Sequence, residues 1–134
     1  MICHGQPPFL ECSTKGDKRF SAFAATVDGQ SIETRYQAAK VFEDGSTGLE
    51  WRAAKGRKAA NQSEIAHLYS KLWDQYIAEH PELLNILLNS NGLCDTFGQR
   101  GHVCQATELW RIRNEYIQRE RDSESLFSSL AENE

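Results

Sequence analysis

The stretch RFSAFAATVDGQSIETRYQAAKVFEDG, residues 19–45, carries two periodicities side by side. Its first half reads as two short extended pieces, Phe20 to Val27 and Gln30 to Ile32, joined by Asp28-Gly29. That dipeptide is a strong hairpin signal because the favoured two-residue turn needs positive φ at both central residues. The second half turns helical. Ser31 or Thr34 supplies a cap, "RYQAAKVFE" is rich in helix formers, and Tyr36, Ala39 or Lys40, and Phe42 fall near one face before Gly45 ends the run. A hairpin followed at once by a helix predicts an α+β fold: one mainly helical domain with a small N-terminal hairpin or sheet.

The flanking sequence extends this reading. Residues 1–19 hold Pro7-Pro8, Gly5 and Gly16, which suits an irregular lead-in with one short strand around Phe9 to Cys12. Beyond Gly45, "LEWRAAKGRKAAN" starts helical and breaks at Gly56. "QSEIAHLYSKLWDQYIAEH" is the clearest helix, since Ile65, Leu68, Tyr69, Leu72, Trp73, Tyr76 and Ile77 follow three and four spacings. Pro81 and Glu82 open another, which stops at Asn91-Gly92. "LCDTFGQRGHVC" reads as loop with at most a short strand, and "QATELWRIRNEYIQRER" as the last helix. The domain therefore spans 20–121, followed by an acidic, Ser-rich tail, 122–134, frayed apart from the apolar patch "LFSSL".

Bulk composition bounds the function. The 134 residues suffice for one domain with a cleft beside its core. A net charge of −4 argues against gripping nucleic acid by a broad cationic face, though a local basic cleft remains compatible with it. The sequence has no apolar run of membrane-spanning length and no signal-peptide pattern, so the expectation is a cytoplasmic protein without membrane contact. Cys3, Cys12, Cys94 and Cys104 lack the paired spacing of a zinc site with His4 and His102, and read as small buried thiols. Neither a metal nor a cofactor is expected.

Chemistry concentrates in a few places. Glu33 stands in the first turn of the predicted helix, where the helix dipole alone would favour an acid. Asp95 lies in the irregular "CDTFG" segment, and loops on a rigid scaffold commonly carry catalytic acids. "AKGRK" sets Lys55, Arg57 and Lys58 around a glycine, a pattern suited to a phosphate or to a solvated turn, and it is not a Walker loop. Lys40 faces either solvent or the cleft that Glu33 overlooks. Trp51, Trp73 and Trp110 read as core, with Trp51 alone near enough to the basic cluster to stack a flat base. His67 and His80 read as surface or capping residues, and His102 as a weak acid or base candidate. Gly-x-Ser-x-Gly, His-Glu-x-x-His and dinucleotide glycine patterns are all missing, which sets aside serine hydrolase, zinc protease and Rossmann dehydrogenase.

"FSAF" (20–23), "DGQSIETRYQAAKVF" (28–42), "W…AAKGR" (51–57) and "CDTFG" (94–98) ahead of a Cys-Gln-Ala helix together resemble the NADAR, or YbiA-like (DUF1768), superfamily over about residues 20–115. The most specific element is Glu33-x-x-Tyr36-Gln37-Ala38-x-Lys40. The sequence departs from the family pattern at Phe97, where members usually have Trp, and in the spacing of "AAKGRK". The resemblance implies an α+β domain that hydrolyses an N-glycosidic bond between ribose and a base or amine, with a nucleotide or an ADP-ribosylated nucleic acid, such as ADP-ribosyl-guanine, as substrate. It assigns catalysis to Glu33, Asp95 and Lys40. Substrate binding falls to Tyr36, Gln37, Trp51, Lys55, Arg57 and Phe97: Lys55 and Arg57 for a phosphate, Trp51 or Phe97 for the base. Two other classes fit the sequence: a non-catalytic ADP-ribose or nucleotide-binding module, and an interaction protein of a mobile element working through an exposed surface.

Overall fold

In the computed structural model, which describes the backbone of residues 1–132 and the side chains of 1–126, a short central strand organises the chain. Strand β5 (Gly92–Asp95) is buried along its whole length, with β1 (Ile2–Gly5) antiparallel on one side and β2 (Phe9–Glu11) parallel on the other. The link from β1 to β2 must therefore cross the Gly92 end of β5. A Cβ on Gly92 would sit 2.5 Å from the Gln6 carbonyl oxygen and 2.7 Å from the Phe9 ring, so only glycine permits the crossing. The strand expected around Phe9 to Cys12 forms as β2, and part of what was expected to be irregular lead-in supplies β1 as well. Gly5 and Pro7-Pro8, which suggested irregularity, serve this short crossover, while Gly16 lies in the turn after β2.

The Asp28-Gly29 turn forms as expected, with φ of 51° and 83° joining β3 (Thr26–Val27) to β4 (Gln30–Ser31). The strand expected from Phe20 does not. Lys18–Phe20 makes a turn of 3-10 helix, and the Ser21 carbonyl then accepts the N–H groups of Ala24 and Ala25, at 3.1 and 2.8 Å. Three alanines in this run give a strand little side chain to pack, so the backbone coils instead.

Helix α1 (Ile32–Ala38) is capped by Ser31, whose hydroxyl accepts the Thr34 N–H at 3.1 Å. It stops well short of Gly45. Lys40 becomes buried beyond the helix, and Val41 pairs with Thr47 in an isolated antiparallel bridge, so tertiary contacts override the local propensity of "AAKVF". The other helices are α2 (Trp51–Ala54), α3 (Gln62–Glu79), α4 (Pro81–Leu88) and α5 (Gln105–Glu132). The α+β class holds. The helical backbone of α5 runs through the segment read as a frayed tail; Leu126 is exposed, and the remainder of the apolar patch lies outside the described side chains.

Helix α3 forms the centre of the core. Trp73 is fully buried, and an edge-to-face series runs Tyr36, Tyr69, Trp73, Tyr76 with centroid spacings of 5.3, 6.4 and 5.6 Å. At its end the Tyr76 hydroxyl donates to the Arg19 carbonyl at 2.6 Å, fastening the 3-10 turn to the helix. Trp51 and Trp110 are only half-buried, Trp110 having the His4 ring stacked at 6.3 Å and the Arg113 guanidinium at 4.5 Å. Among the described residues, no helix is long and apolar enough to cross a membrane.

Candidate active site

A cleft of about 880 Å³ opens between α1, the turn before β3, the basic turn after α2, and the loop joining β5 to α5. Glu33 and Asp95, 62 positions apart in the chain, both line it.

Each acid is held by an amide. Glu33, in the first turn of α1, accepts the Gln37 Nε2–H at 2.9 Å, one helical turn along. Asp95 ends β5, where its Oδ1 accepts the Phe97 N–H at 2.9 Å and its Oδ2 the Gln105 Nε2–H at 3.2 Å. The Cys104 thiol also donates to that oxygen, at 3.7 Å. Gln105 reaches further: its Oε1 accepts the Ala22 N–H at 2.7 Å, while the Ala22 carbonyl accepts the Glu33 N–H at 3.0 Å. A continuous hydrogen-bonded chain, Asp95, Gln105, Ala22, Glu33, therefore fixes one acid-bearing element against the other. Gln105 is 7% exposed, and losing it would leave two buried partners unsatisfied.

Gln37 offers more than support. It is 5% exposed, and among the described residues its Oε1 has no hydrogen-bond partner although it lies on the cleft. Buried carbonyls are nearly always satisfied, so this one is suited to a ligand's donor or an ordered water.

Lys40 closes the back of the cleft. Its Nζ donates to the carbonyls of Ala54 at 3.2 Å and Arg57 at 3.0 Å, binding the end of α1 to α2 and the turn after it. Burial lowers the pKa of this amine, against the opposing pull of the Glu33 carboxylate. Tyr36 accepts the Gln62 Nε2–H at 3.1 Å, and burial, reinforced by Glu33, pushes its phenol up.

The rim has a different character. Phe97 is 58% exposed with the Lys15 ammonium 5.1 Å from its ring, and Phe23 is 41% exposed with the Lys55 ammonium at 4.6 Å. Arg57 and Lys58 complete a cationic edge, the Arg57 guanidinium lying 4.0 Å from the Phe42 ring. The mouth is thus basic although the chain is net acidic.

Eight of the nine residues expected to form the site line this cleft: Glu33, Tyr36, Gln37, Lys40, Lys55, Arg57, Asp95 and Phe97. Trp51 does not. It packs edge-to-face with Phe23 at 5.5 Å, with the Arg52 guanidinium 4.7 Å and the Lys55 ammonium 5.8 Å from its ring, so it braces two rim residues without lining the cleft itself. His102 does line the cleft, exposed at its edge. Phe23 and Gln105 went unrecognised as site residues. The one signal for Gln105 was an amide at a helix start inside the apolar run Val103-Cys104-Gln105-Ala106.

Glu11 was missed as well. Its carboxylate accepts the N–H groups of Ser13 and Thr96 at 3.2 and 3.1 Å, together with the Thr96 hydroxyl, and so clasps the turn that follows Asp95. Burial alone would raise its pKa, but the Thr96 and Ser13 hydrogen bonds outweigh that and hold it below its ordinary value. Among the described residues no three His, Cys, Asp or Glu side chains cluster closely enough to hold a metal ion. No protein-family model matches the chain, and no curated protein matches it.

Proposed function

We propose that the cleft hydrolyses an N-glycosidic bond between a ribose and a base or amine, in an ADP-ribose or nucleotide-like substrate such as ADP-ribosyl-guanine. The observation that carries this reading is the convergence of Glu33 and Asp95 on one cleft, with their relative placement set by the Gln105 and Ala22 hydrogen bonds. The motif resemblance to NADAR proteins supplies the reaction class, and the chemistry agrees with the residues. Breaking a C1′–N bond builds positive charge on the ribose, which a carboxylate beside C1′ stabilises, while a second carboxyl group activates water or protonates the leaving nitrogen.

The remaining residues take supporting parts. Lys40, engaged by two backbone carbonyls, orients the sugar. The free Gln37 carbonyl takes a donor from the ligand. Lys55 and Arg57 hold a phosphate at the mouth, and Phe97 stacks the base. The experiment is release of free base from ribosylated guanine, monitored chromatographically for the wild type, Glu33→Gln and Asp95→Asn. Loss of turnover in both variants with folding intact is the expected result; unchanged turnover in both removes the hydrolase reading. Lys40→Arg separates orientation from attack on C1′, because a guanidinium keeps the charge but is no nucleophile.

A second reading, a nucleotide-binding module without chemistry, draws on the unpartnered Gln37 carbonyl and the two exposed phenylalanines, which recognise a ligand without transforming it. It predicts calorimetric binding of ADP-ribose with no base released, and affinity that survives Glu33→Gln.

A further inference from the structure

Of the four thiols only that of Cys104 touches the site described above, and two of the others face each other. The register of β1 and β5 sets Cys3 directly opposite Cys94. Hydrogen-bonded and non-hydrogen-bonded pairs alternate along an antiparallel ladder. The Gln6 N–H donates to the Asn91 carbonyl at 3.0 Å just beyond the strands, so Gly5/Gly92 is a non-hydrogen-bonded pair, His4/Leu93 a bonded one, and Cys3/Cys94 again non-hydrogen-bonded. Non-hydrogen-bonded pairs bring their Cα atoms to about 4.5 Å with side chains on the same face, within the range of about 4.4–6.8 Å that a disulfide spans. No ladder hydrogen bond has to break for such a bond to form.

Exposure supplies the entry route. Cys3 is open to solvent, while Cys94 lies beneath the Glu11 carboxylate, donating to its Oε1 at 3.7 Å. Burial first, then Glu11 and Cys3 itself, push the Cys94 thiol up to about 11, so it is inert until its neighbour becomes an electrophile. Cys12 and Cys104 are buried, with thiols also raised chiefly by burial, and neither stands opposite another cysteine in the sheet register.

We propose that Cys3 and Cys94 are a redox pair that closes reversibly into an intrachain disulfide across β1 and β5. With a small peroxide as oxidant, the Cys3 thiolate attacks one peroxide oxygen and the O–O bond breaks. Cys3 becomes a sulfenic acid, and the departing hydroxide takes up the thiol proton as water. Cys94 sulfur then attacks the sulfenic sulfur, the S–O bond breaks, and the second hydroxide leaves as water with the Cys94 proton. In sum two thiols lose two electrons and two protons, and one peroxide becomes two waters. A thiol reductant reverses the bond by exchange at the exposed Cys3 sulfur. The disulfide takes from Glu11 the Cys94 S–H donor, one residue from Asp95.

The test does not depend on the hydrolase reading. The folded protein is treated with one equivalent of hydrogen peroxide, free thiols are blocked, and unreduced peptides are mapped by mass spectrometry. The expected product is one cross-linked pair joining the peptides of Cys3 and Cys94, reversed by dithiothreitol. Cys12→Ser and Cys104→Ser retain it and Cys3→Ser and Cys94→Ser lose it. Recovery of Cys3 as sulfinic or sulfonic acid beside an unmodified Cys94, or a cross-link to Cys12 or Cys104 instead, overturns the proposal.

Discussion

The floor and the rim of the cleft are built on opposite principles. On the floor, Glu33, Gln37, Asp95 and Gln105 are all at most 9% exposed, and each is held by side-chain hydrogen bonds to named partners. On the rim, Lys15, Lys55, Arg57 and Lys58 are exposed, and the closest partners seen for Lys15, Lys55 and Arg57 are aromatic faces. A buried, cross-linked set of groups fixes atoms in place, whereas exposed cations over rings stay adjustable and are screened by salt. The floor is therefore suited to holding reacting groups in place and the rim to drawing in a charged ligand.

That contrast can be broken experimentally, most severely at the acids. Asp95→Asn and Glu33→Gln each lower base release by about 10³-fold or more under the proposed mechanism, with thermal unfolding midpoints near wild type. A rate loss of less than tenfold in both would place the chemistry elsewhere. Gln105→Leu comes next. It removes the donor to Asp95 and the acceptor for Ala22, so denaturant unfolding registers a loss of about 2 kcal/mol and turnover falls about tenfold or more, even though Gln105 touches no substrate in this scheme. Stability loss with unimpaired turnover would show that the amide chain braces the fold alone.

At the rim the expected effects are smaller and of another kind. Lys55→Ala and Arg57→Ala raise KM by about tenfold at low ionic strength and leave kcat nearly unchanged, and the penalty shrinks as salt is added. A drop in kcat would move these cations into the chemistry and erase the distinction. Trp51→Ala, at a residue that braces Phe23 without lining the cleft, changes KM by about twofold at most.

Glu11 sharpens the comparison through pH, because it is the clasp beneath the floor. Its folded-state pKa lies below the ordinary value of 4.5, so it contributes stability that is fully present above that value and is lost as pH falls through the depressed one. Acid unfolding of Glu11→Gln is accordingly less steep below pH 4.5 than that of wild type. Parallel curves for the two proteins would detach Glu11 from the turn's stability.

The sequence was legible where local rules are strong. The Asp28-Gly29 turn, the Ser31 cap, the apolar stripe of α3 and the Pro81 helix start all rest on interactions within a few residues. So was most of the cleft, because the Glu33 to Lys40 motif and the "AKGRK" and "CDTFG" segments could be recognised singly. Three features were not legible. The strand at 2–5 owes its existence to a partner more than eighty residues away, and the glycine and prolines that follow it mark the crossover rather than a break in order, whereas the strand expected around Phe9 to Cys12 does form at 9–11. The early end of α1 follows from Lys40 finding two carbonyls on a distant turn, an event that helix propensity cannot register. Trp51 sits beside the basic cluster in space as in the chain, with the Lys55 ammonium 5.8 Å from its ring, yet it does not line the cleft, since proximity along a short helix does not say which way a ring faces.

The position of β5 between two strands from the opposite end of the chain has a consequence for synthesis. As the polypeptide leaves the ribosome, residues 2–11 emerge early and must wait, their backbone amides unmatched, until residues 92–95 follow. The sheet is therefore a late event in biogenesis, and a nascent chain stalled before Gly92 would present two unpaired segments, 2–5 and 9–11, to chaperones.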